Sequence, residues 1–330
     1  MKRLLQTLAI GLTLSLAQGA GAAPFSAHYV FGDSLSDAGN LFLATGGALP
    51  QPGDYYQGHF SNGTSYAERV SIGLGLPGGA TPSYAGGTNY AVGGARTDNH
   101  ILGTPAADAQ FSLQGQINSY FSSHAASDPN ALYTVWIGSN DVLQALQMVA
   151  AGQGAAAQAR VADAVGDIAV ALGQLVGSGA RHLLLPNITD LGLTPRVAAM
   201  GPMAQVATSQ MVMDFNTAID GVIAGLSAST PGLDVIRFDT FHLLREVMAN
   251  AGDYGFTDFS ACISGFVGTP SPTPACSNPD QHIFWDDIHP TSATAQILAD
   301  RTLAALVPAP ATLALALLAL GVLGVQRRRR

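Results

Sequence analysis

Four short apolar runs stand out along the chain: His28–Phe31, Leu132–Ile137, Arg181–Pro186 and Leu233–Phe238. Each is mostly apolar, without strict alternation, and too brief for a helix, although Leu233–Phe238 is interrupted by Asp234 and Arg237. That is the pattern of a buried parallel strand, which is covered on both faces. Between and after them, helical periodicity predicts helices over about Val142–Ala150, Ala155–Val176, Met203–Ala228 and Phe241–Ala251. A last helix is predicted over Thr291–Leu306, opened by Pro290 with Thr291 as its candidate cap. Strands alternating with helices predict a doubly wound α/β domain with a mostly parallel sheet. In such sheets ligands bind beyond the carboxyl ends of the strands. The stretch Ala44–Gly87, rich in Gly, Pro and Tyr, reads as a long loop that lines a substrate cleft. No repeat or linker divides the core.

The two ends have a different pattern. Lys2 and Arg3 precede an apolar run from Leu4 to about Leu16, followed by Ala20-Gly21-Ala22-Ala23. That order predicts a secretory signal peptide over residues 1–23, cut after Ala22 or Ala23; a buried N-terminal helix is the plainer alternative. At the other end, Pro308-Ala309-Pro310 precedes an apolar run from Leu313 to Val325 and then Arg327–Arg330. The run is shorter than the ~20 residues of a full span, and the arginines would hold the end on the cytoplasmic side. Residues 308–330 resemble the C-terminal sorting signal of Gram-negative bacteria named for its Pro-Glu-Pro motif, with Ala309 in place of Glu. The resemblance implies export, transient membrane contact through this segment and cleavage by a sorting protease. The product would be periplasmic, cell-surface or secreted, and membrane-tethered before processing. A permanent single-span anchor is the alternative. The remaining residues, 24–307, fit one domain.

Charge narrows the partners. Lys2 is the only lysine, and six of the 14 basic residues lie in the end segments, whereas none of the 22 acids do. The middle of the chain thus carries 8 Arg against 22 acids, a net charge near −14. So acidic a surface repels phosphate backbones, which argues against nucleic-acid binding, and it disfavours anionic membranes. Cys262 and Cys276 share one Gly/Pro/Ser-rich loop. In an exported protein they predict a disulfide, worth about 3 kcal/mol for a loop of this size. A zinc site is a poor alternative, because no Cys-x-x-Cys accompanies them.

Four ordered motifs carry the candidate chemistry: Phe31-Gly32-Asp33-Ser34-Leu35-Ser36-Asp37-Ala38-Gly39-Asn40, Asn89-Tyr90-Ala91-Val92-Gly93-Gly94-Ala95, Gly138-Ser139-Asn140-Asp141 and Asp286-Asp287-Ile288-His289-Pro290. Ser34 follows a predicted strand, so its hydroxyl can face a cleft, but it needs a base to become a nucleophile. His289 is the best base, and Asp286 three residues earlier can meet its Nδ1; Asp287 is the other candidate. Asp33 and Asp37 read as hydrogen-bonding partners of the turn backbone. The backbone N–H groups of Ser34 and Gly94 and the Asn140 amide are candidate donors to an oxyanion. Taken singly, Gly94 could be a plain turn glycine and Asn140 a helix cap. These parts need no metal or cofactor.

Together the motifs resemble the conserved blocks of the SGNH, or GDSL, hydrolases. The likeness is greatest to the lipolytic branch of phospholipases, lecithinases and haemolysins that includes autotransporter esterases and relatives of plant GDSL lipases. Gly58-His59-Phe60-Ser61-Asn62-Gly63 and Phe284-Trp285-Asp286 through His289-Pro290-Thr291 carry it, and it extends over roughly Tyr29–Leu306. The resemblance implies a three-layer α/β/α, flavodoxin-like fold. It implies Ser34 as nucleophile, His289 as base, Asp286 as orienting acid, and Gly94, preferred over Gly93, with Asn140 in the oxyanion hole. The expected activity is hydrolysis of acyl or lipid esters through an acyl-enzyme. Deacetylation of polysaccharide, and a non-catalytic surface or matrix role on the same scaffold, are the competing readings. No Gly-x-Ser-x-Gly elbow is present, which argues against an α/β-hydrolase lipase.

Overall fold

The computed structural model describes residues 24–273 and 275–307. The predicted signal peptide (1–23) and C-terminal tail (308–330) lie outside the described residues. The four apolar runs form β1 (His28–Gly32), β2 (Leu132–Trp136), β3 (His182–Pro186) and β4 (Asp234–Phe238), parallel and in the order β1-β2-β3-β4. Side chains alternate across the sheet with the period of two that a pleat imposes. Tyr29, Phe31, Tyr133, Val135, Leu183 and Leu185 pack on one face, and Val30, Leu132, Trp136 and Leu184 on the other.

Helices cover both faces, giving three layers. After the short α1 (Asn40–Ala44), α2 (Tyr66–Gly73) supplies Tyr66 and Val70, and its C-cap Leu74, to the second face. The short α3 (Pro105–Phe111) leads into α4 (Leu113–Ser123), which joins α5 (Ser139–Ala150) and α6 (Gly154–Gly177) on the first face. The short α7 (Pro195–Ala198) precedes α8 (Pro202–Ser229), whose Val212, Phe215 and Ile219 complete that layer. Helix α9 (Thr240–Ala249) packs on α10 (Ser292–Leu306) in a separate apolar cluster with Ile283 and Phe284. Thr291 caps α10 by accepting the Thr294 amide at 3.3 Å. The small parallel pair β5 (Asp258–Ala261) and β6 (His282–Phe284) flanks the loop closed by the Cys262–Cys276 disulfide.

Two departures from the sequence reading lie in the segments flanking β1. The stretch 44–87 is not all loop. Helix α2 lies in it, started by a capping box in which Ser65 Oγ accepts the Glu68 amide and Glu68 Oε2 accepts the Ser65 amide at 2.7 Å. The second departure is at the edge of the sheet. Residues 88–92 run beside β1: Val30 N–H donates to Thr88 O, Tyr90 N–H to Val30 O at 2.7 Å, and Val92 N–H to Gly32 O. β1 therefore has a later segment on one side and β2 on the other. That is a point where the direction of strand order reverses, and it is where clefts open in such sheets.

Gly32 closes β1 under tight constraint. A Cβ there would lie 2.4 Å from the Trp136 carbonyl oxygen on β2. Gly32→Ala is therefore expected to force β1 and β2 apart and cost about 2 kcal/mol or more in urea unfolding; a loss below about 0.5 kcal/mol, within the range of a neutral surface change, would show that the strands accommodate the methyl group.

Candidate active site

At the end of β1 the chain turns at once: Asp33 O accepts the Ser36 and Asp37 amides at 3.1 and 3.0 Å. Ser34 is thereby presented beyond the carboxyl end of the strand. Asp33 Oδ1 accepts the Leu35 amide at 3.0 Å, and burial pushes its carboxyl up to about 7 while that amide and nearby His289 pull it down. Asp37 accepts the amides of Gly39, Asn40, Leu41 and Gly93. Both carboxylates thus hold backbone, as their positions in the first motif imply.

His289 follows β6 in a turn in which Trp285 N–H donates to His289 O at 2.7 Å. Its Nε2 lies 2.8 Å from Ser34 Oγ and its Nδ1 2.7 Å from Asp286 Oδ2. With Nδ1–H donated to the carboxylate, Nε2 is left to accept the Ser34 hydroxyl proton. Asp286 is fully buried and takes three further donors: the amides of Ile288 and His289 on Oδ1, and the Tyr55 hydroxyl on Oδ2 at 2.6 Å. Burial alone would raise its carboxyl. The charge and hydrogen bonds of His289, with Tyr55 and the amide, outweigh that and hold it below the usual carboxylate range. Asp287 points elsewhere, forming a bidentate pair with Arg196 at 2.7 and 2.8 Å. The geometry therefore selects Asp286 from the two adjacent acids.

The other motifs converge on the same place. Segment 88–92 carries Gly93 and Gly94 alongside the end of β1. Gly93 N–H is taken by Asp37 Oδ2 at 2.7 Å, whereas Gly94 N–H and Ser34 N–H have no acceptor among the described residues. Gly138, at φ +112°, starts α5 three residues earlier than the sequence suggests, so Asn140 sits inside the first turn and does not cap it. One Asn140 Nδ2 hydrogen is held by Ala95 O at 2.9 Å, which leaves the second free to face the cleft. Ser34, Gly94, Asn140 and His289 all border one cavity of about 290 Å³.

Away from these polar groups the cavity is apolar. Leu243, Leu244 and Val247 of α9, Ile283 and Phe284 of β6, and Leu298 of α10 form its inner wall. Ile101, and Phe266 with Val267 from the disulfide-closed loop, border it as well. The stretch 44–87, expected to line the cleft, reaches this cavity through Phe60 alone among the described residues. Its larger contribution is support. The Phe60 ring lies 5.3 Å from the His289 ring, Ser61 Oγ donates to Pro290 O at 2.7 Å, and Asn62 Oδ1 accepts the Ser292 amide at 2.7 Å. Nothing in the sequence singles out Tyr55. It is one of nine tyrosines, in a stretch without periodicity, and 231 residues from its partner.

The sequence profile of the family described as GDSL-like lipase/acylhydrolase matches residues 29–302, and that of the PEP-CTERM protein-sorting motif matches residues 306–330. Esterase EstA of Pseudomonas aeruginosa is 31% identical over 88% of this chain and 48% of its own length. A GDSL esterase/lipase of Arabidopsis thaliana is 28% identical, covering 88% of this chain and 84% of its own. The thermolabile hemolysin of Vibrio parahaemolyticus is 27% identical, covering 82% and 62%. The chain spans about half the length of the EstA-type relatives it matches.

Removing the Tyr55 hydroxyl leaves buried Asp286 one donor short. Tyr55→Phe is expected to destabilise the fold by about 1.5–3 kcal/mol in urea unfolding, as for a lost hydrogen bond to a charged group; no measurable loss would mean that Asp286 does not depend on it.

Proposed function

The chain belongs to the GDSL-like lipase/acylhydrolase family, and on that premise we propose that it is an exported serine ester hydrolase acting on acyl or lipid esters through an acyl-enzyme on Ser34. The observation that carries this reading is the hydrogen-bonded series Ser34 Oγ, His289 Nε2–Nδ1 and Asp286 Oδ2 opening onto a 290 Å³ apolar cavity. Ser34 Oγ attacks the ester carbonyl as its proton passes to His289 Nε2. Asp286 stabilises the imidazolium and keeps the ring oriented. The carbonyl oxygen, now anionic, is met by the N–H groups of Ser34 and Gly94 and by the free Asn140 Nδ2 hydrogen. His289 then protonates the departing alcohol. Water, deprotonated by the same ring, releases the acid and restores Ser34.

The cavity bears on the acyl group. Thr240 and Val247, seven residues or roughly 10 Å apart along α9, both line the cavity, so it extends along this helix. An acetyl group leaves most of this apolar volume unfilled, which favours a longer acyl chain over polysaccharide O-acetyl esters. The hydrogen-bonded site argues against a non-catalytic scaffold. The PEP-CTERM motif marks export in a Gram-negative bacterium. We place the hydrolase domain at 24–307, between a signal peptide (1–23) and a sorting segment (308–330) open to proteolytic processing.

Purified Ser34→Ala should lose more than about 10³-fold of its activity on p-nitrophenyl esters, the scale expected when a nucleophile is removed. Val247→Trp should depress hydrolysis of the octanoate at least tenfold relative to the acetate. Undiminished activity in Ser34→Ala would overturn the mechanism, and an unchanged chain-length profile in Val247→Trp would overturn the placement of the acyl chain.

A further inference from the structure

His100 belongs to none of the four motifs, yet it is fully buried and touches the oxyanion segment directly. Its Nε2 lies 2.6 Å from the Gly93 carbonyl oxygen, and its Nδ1 accepts the Leu102 amide at 3.1 Å. A backbone amide only donates, so Nδ1 carries no proton and Nε2 does. The ring is therefore the neutral Nε2–H tautomer, donating to Gly93 O. Burial, with the Arg96 charge nearby, outweighs the Gly93 bond and holds the imidazole below the usual histidine range. The ring is further fixed by Phe111, edge-on at 5.2 Å, and its own backbone N–H donates to Asp108 Oδ1 at 2.9 Å.

The Gly93–Gly94 peptide is a place where such a hold matters. Glycines tolerate both signs of φ, so a peptide between two of them can flip at little steric cost. A flip here would turn the Gly94 N–H away from the cleft and put the Gly93 carbonyl in its place, an acceptor where a donor is needed. In a trans peptide the C=O and N–H point in opposite directions. With Gly93 O held by His100, the Gly94 N–H must point away from that ring. On its other side Gly93 N–H is held by Asp37 Oδ2 at 2.7 Å. Gly94 itself sits at φ +79°, and a Cβ on it would come within 2.5 Å of Ile101 Cγ1, so a side chain cannot supply the stiffness.

We propose that His100 is a positioning residue for the reaction, locking the Gly93–Gly94 peptide so that the Gly94 N–H is aimed at the oxyanion. The inference rests on the ester-hydrolase reading above. His100 acts through Gly94 and does not touch the reacting atoms.

Two variants separate its hydrogen bonds. His100→Asn keeps an oxygen for the Leu102 amide but is too short to reach Gly93 O; His100→Gln places a donor near the Nε2 position. Both are assayed as the purified chain with a p-nitrophenyl ester. They are also assayed with a trifluoromethyl ketone, whose carbonyl carbon takes the Ser34 Oγ while the proton passes to His289, leaving an oxyanion in the hole. His100→Asn is expected to lower kcat about 10²-fold, the scale of a lost oxyanion donor, with KM within about threefold, and to weaken the ketone by a similar factor. His100→Gln is expected to recover at least tenfold of both. A folded His100→Asn with wild-type kcat and ketone affinity overturns the inference, as do equal losses in the two variants, which would trace the effect to ring packing. A wild-type chain that hydrolyses no ester overturns the ester-hydrolase reading itself; a wild-type chain whose activity depends on Ser34, with His100→Asn unaffected, overturns the role of His100 alone.

Discussion

The Asp286 carboxylate is the constraint on which the rest of the site depends. It has no exposed surface, and a charge so placed is tolerated only when it is fully hydrogen-bonded. Its four donors come from its own turn, from the His289 ring and from Tyr55, 231 residues earlier. Satisfying them tightens the turn, sets the imidazole and leaves Nε2 facing Ser34. The stretch that brings Tyr55 also braces the same turn from outside, through Ser61 on Pro290 and Asn62 on the start of α10. Trp285 adds an Nε1–H bond to Asp54 O at 3.0 Å, beside the disulfide-closed loop. His289 is thus held by two segments far apart in sequence, its own turn and the stretch from Asp54 to Asn62.

Ser34 and the candidate donors Gly94 and Asn140 are placed by a different device, the end of a parallel sheet. β1 lies between β2 and segment 88–92, so chain leaving the carboxyl ends of three neighbouring segments meets at one level. Gly32 allows β1 and β2 to approach closely there, and Gln116 binds both its N–H and its C=O at 2.8 Å, satisfying the backbone where the ladder stops. Buried backbone groups need such partners. The result is a polar rim built largely from backbone at the mouth of an apolar cavity. That combination suits an ester, whose carbonyl needs donors and whose acyl chain gains by leaving water.

Much of this was legible along the chain. The four sheet strands lie within about a residue of the expected runs; β1, β2 and β3 are buried on both faces and leave an apolar signature, whereas β4, at the sheet edge, is only half-buried and carries Asp234 and Arg237. Helices α6, α8 and α10 follow the expected spans closely for a similar local reason. Helix α2 is hard to read from the sequence despite its Ser65-x-x-Glu68 box, because the Gly- and Pro-rich residues around it obscure the signal. Helices α3 and α4 likewise lie where the sequence reading expects no helix. Taken singly, Asn140 could have been a helix cap, but Gly138 takes that position with a left-handed backbone. Segment 88–92 carries no strand signature, and in the structure its Asn89 makes only isolated bridges, to Val30 and to Pro82.

By itself the sequence determined the kinds of groups available and the alternation of strands and helices, because both are written in contiguous residues and their local periodicity. The choice among near-equivalent neighbours was decided only in three dimensions. Asp286 rather than Asp287 meets the imidazole because Arg196 claims Asp287, and Gly94 rather than Gly93 keeps its N–H without an acceptor among the described residues because Asp37 claims the Gly93 N–H. Tyr55, His100 and the apolar wall of α9, β6 and α10 likewise emerge only from the tertiary structure. Their roles rest on contacts and packing across the fold, such as the Ser34–His289 pair 255 residues apart, and chain order carries no record of which distant groups will meet.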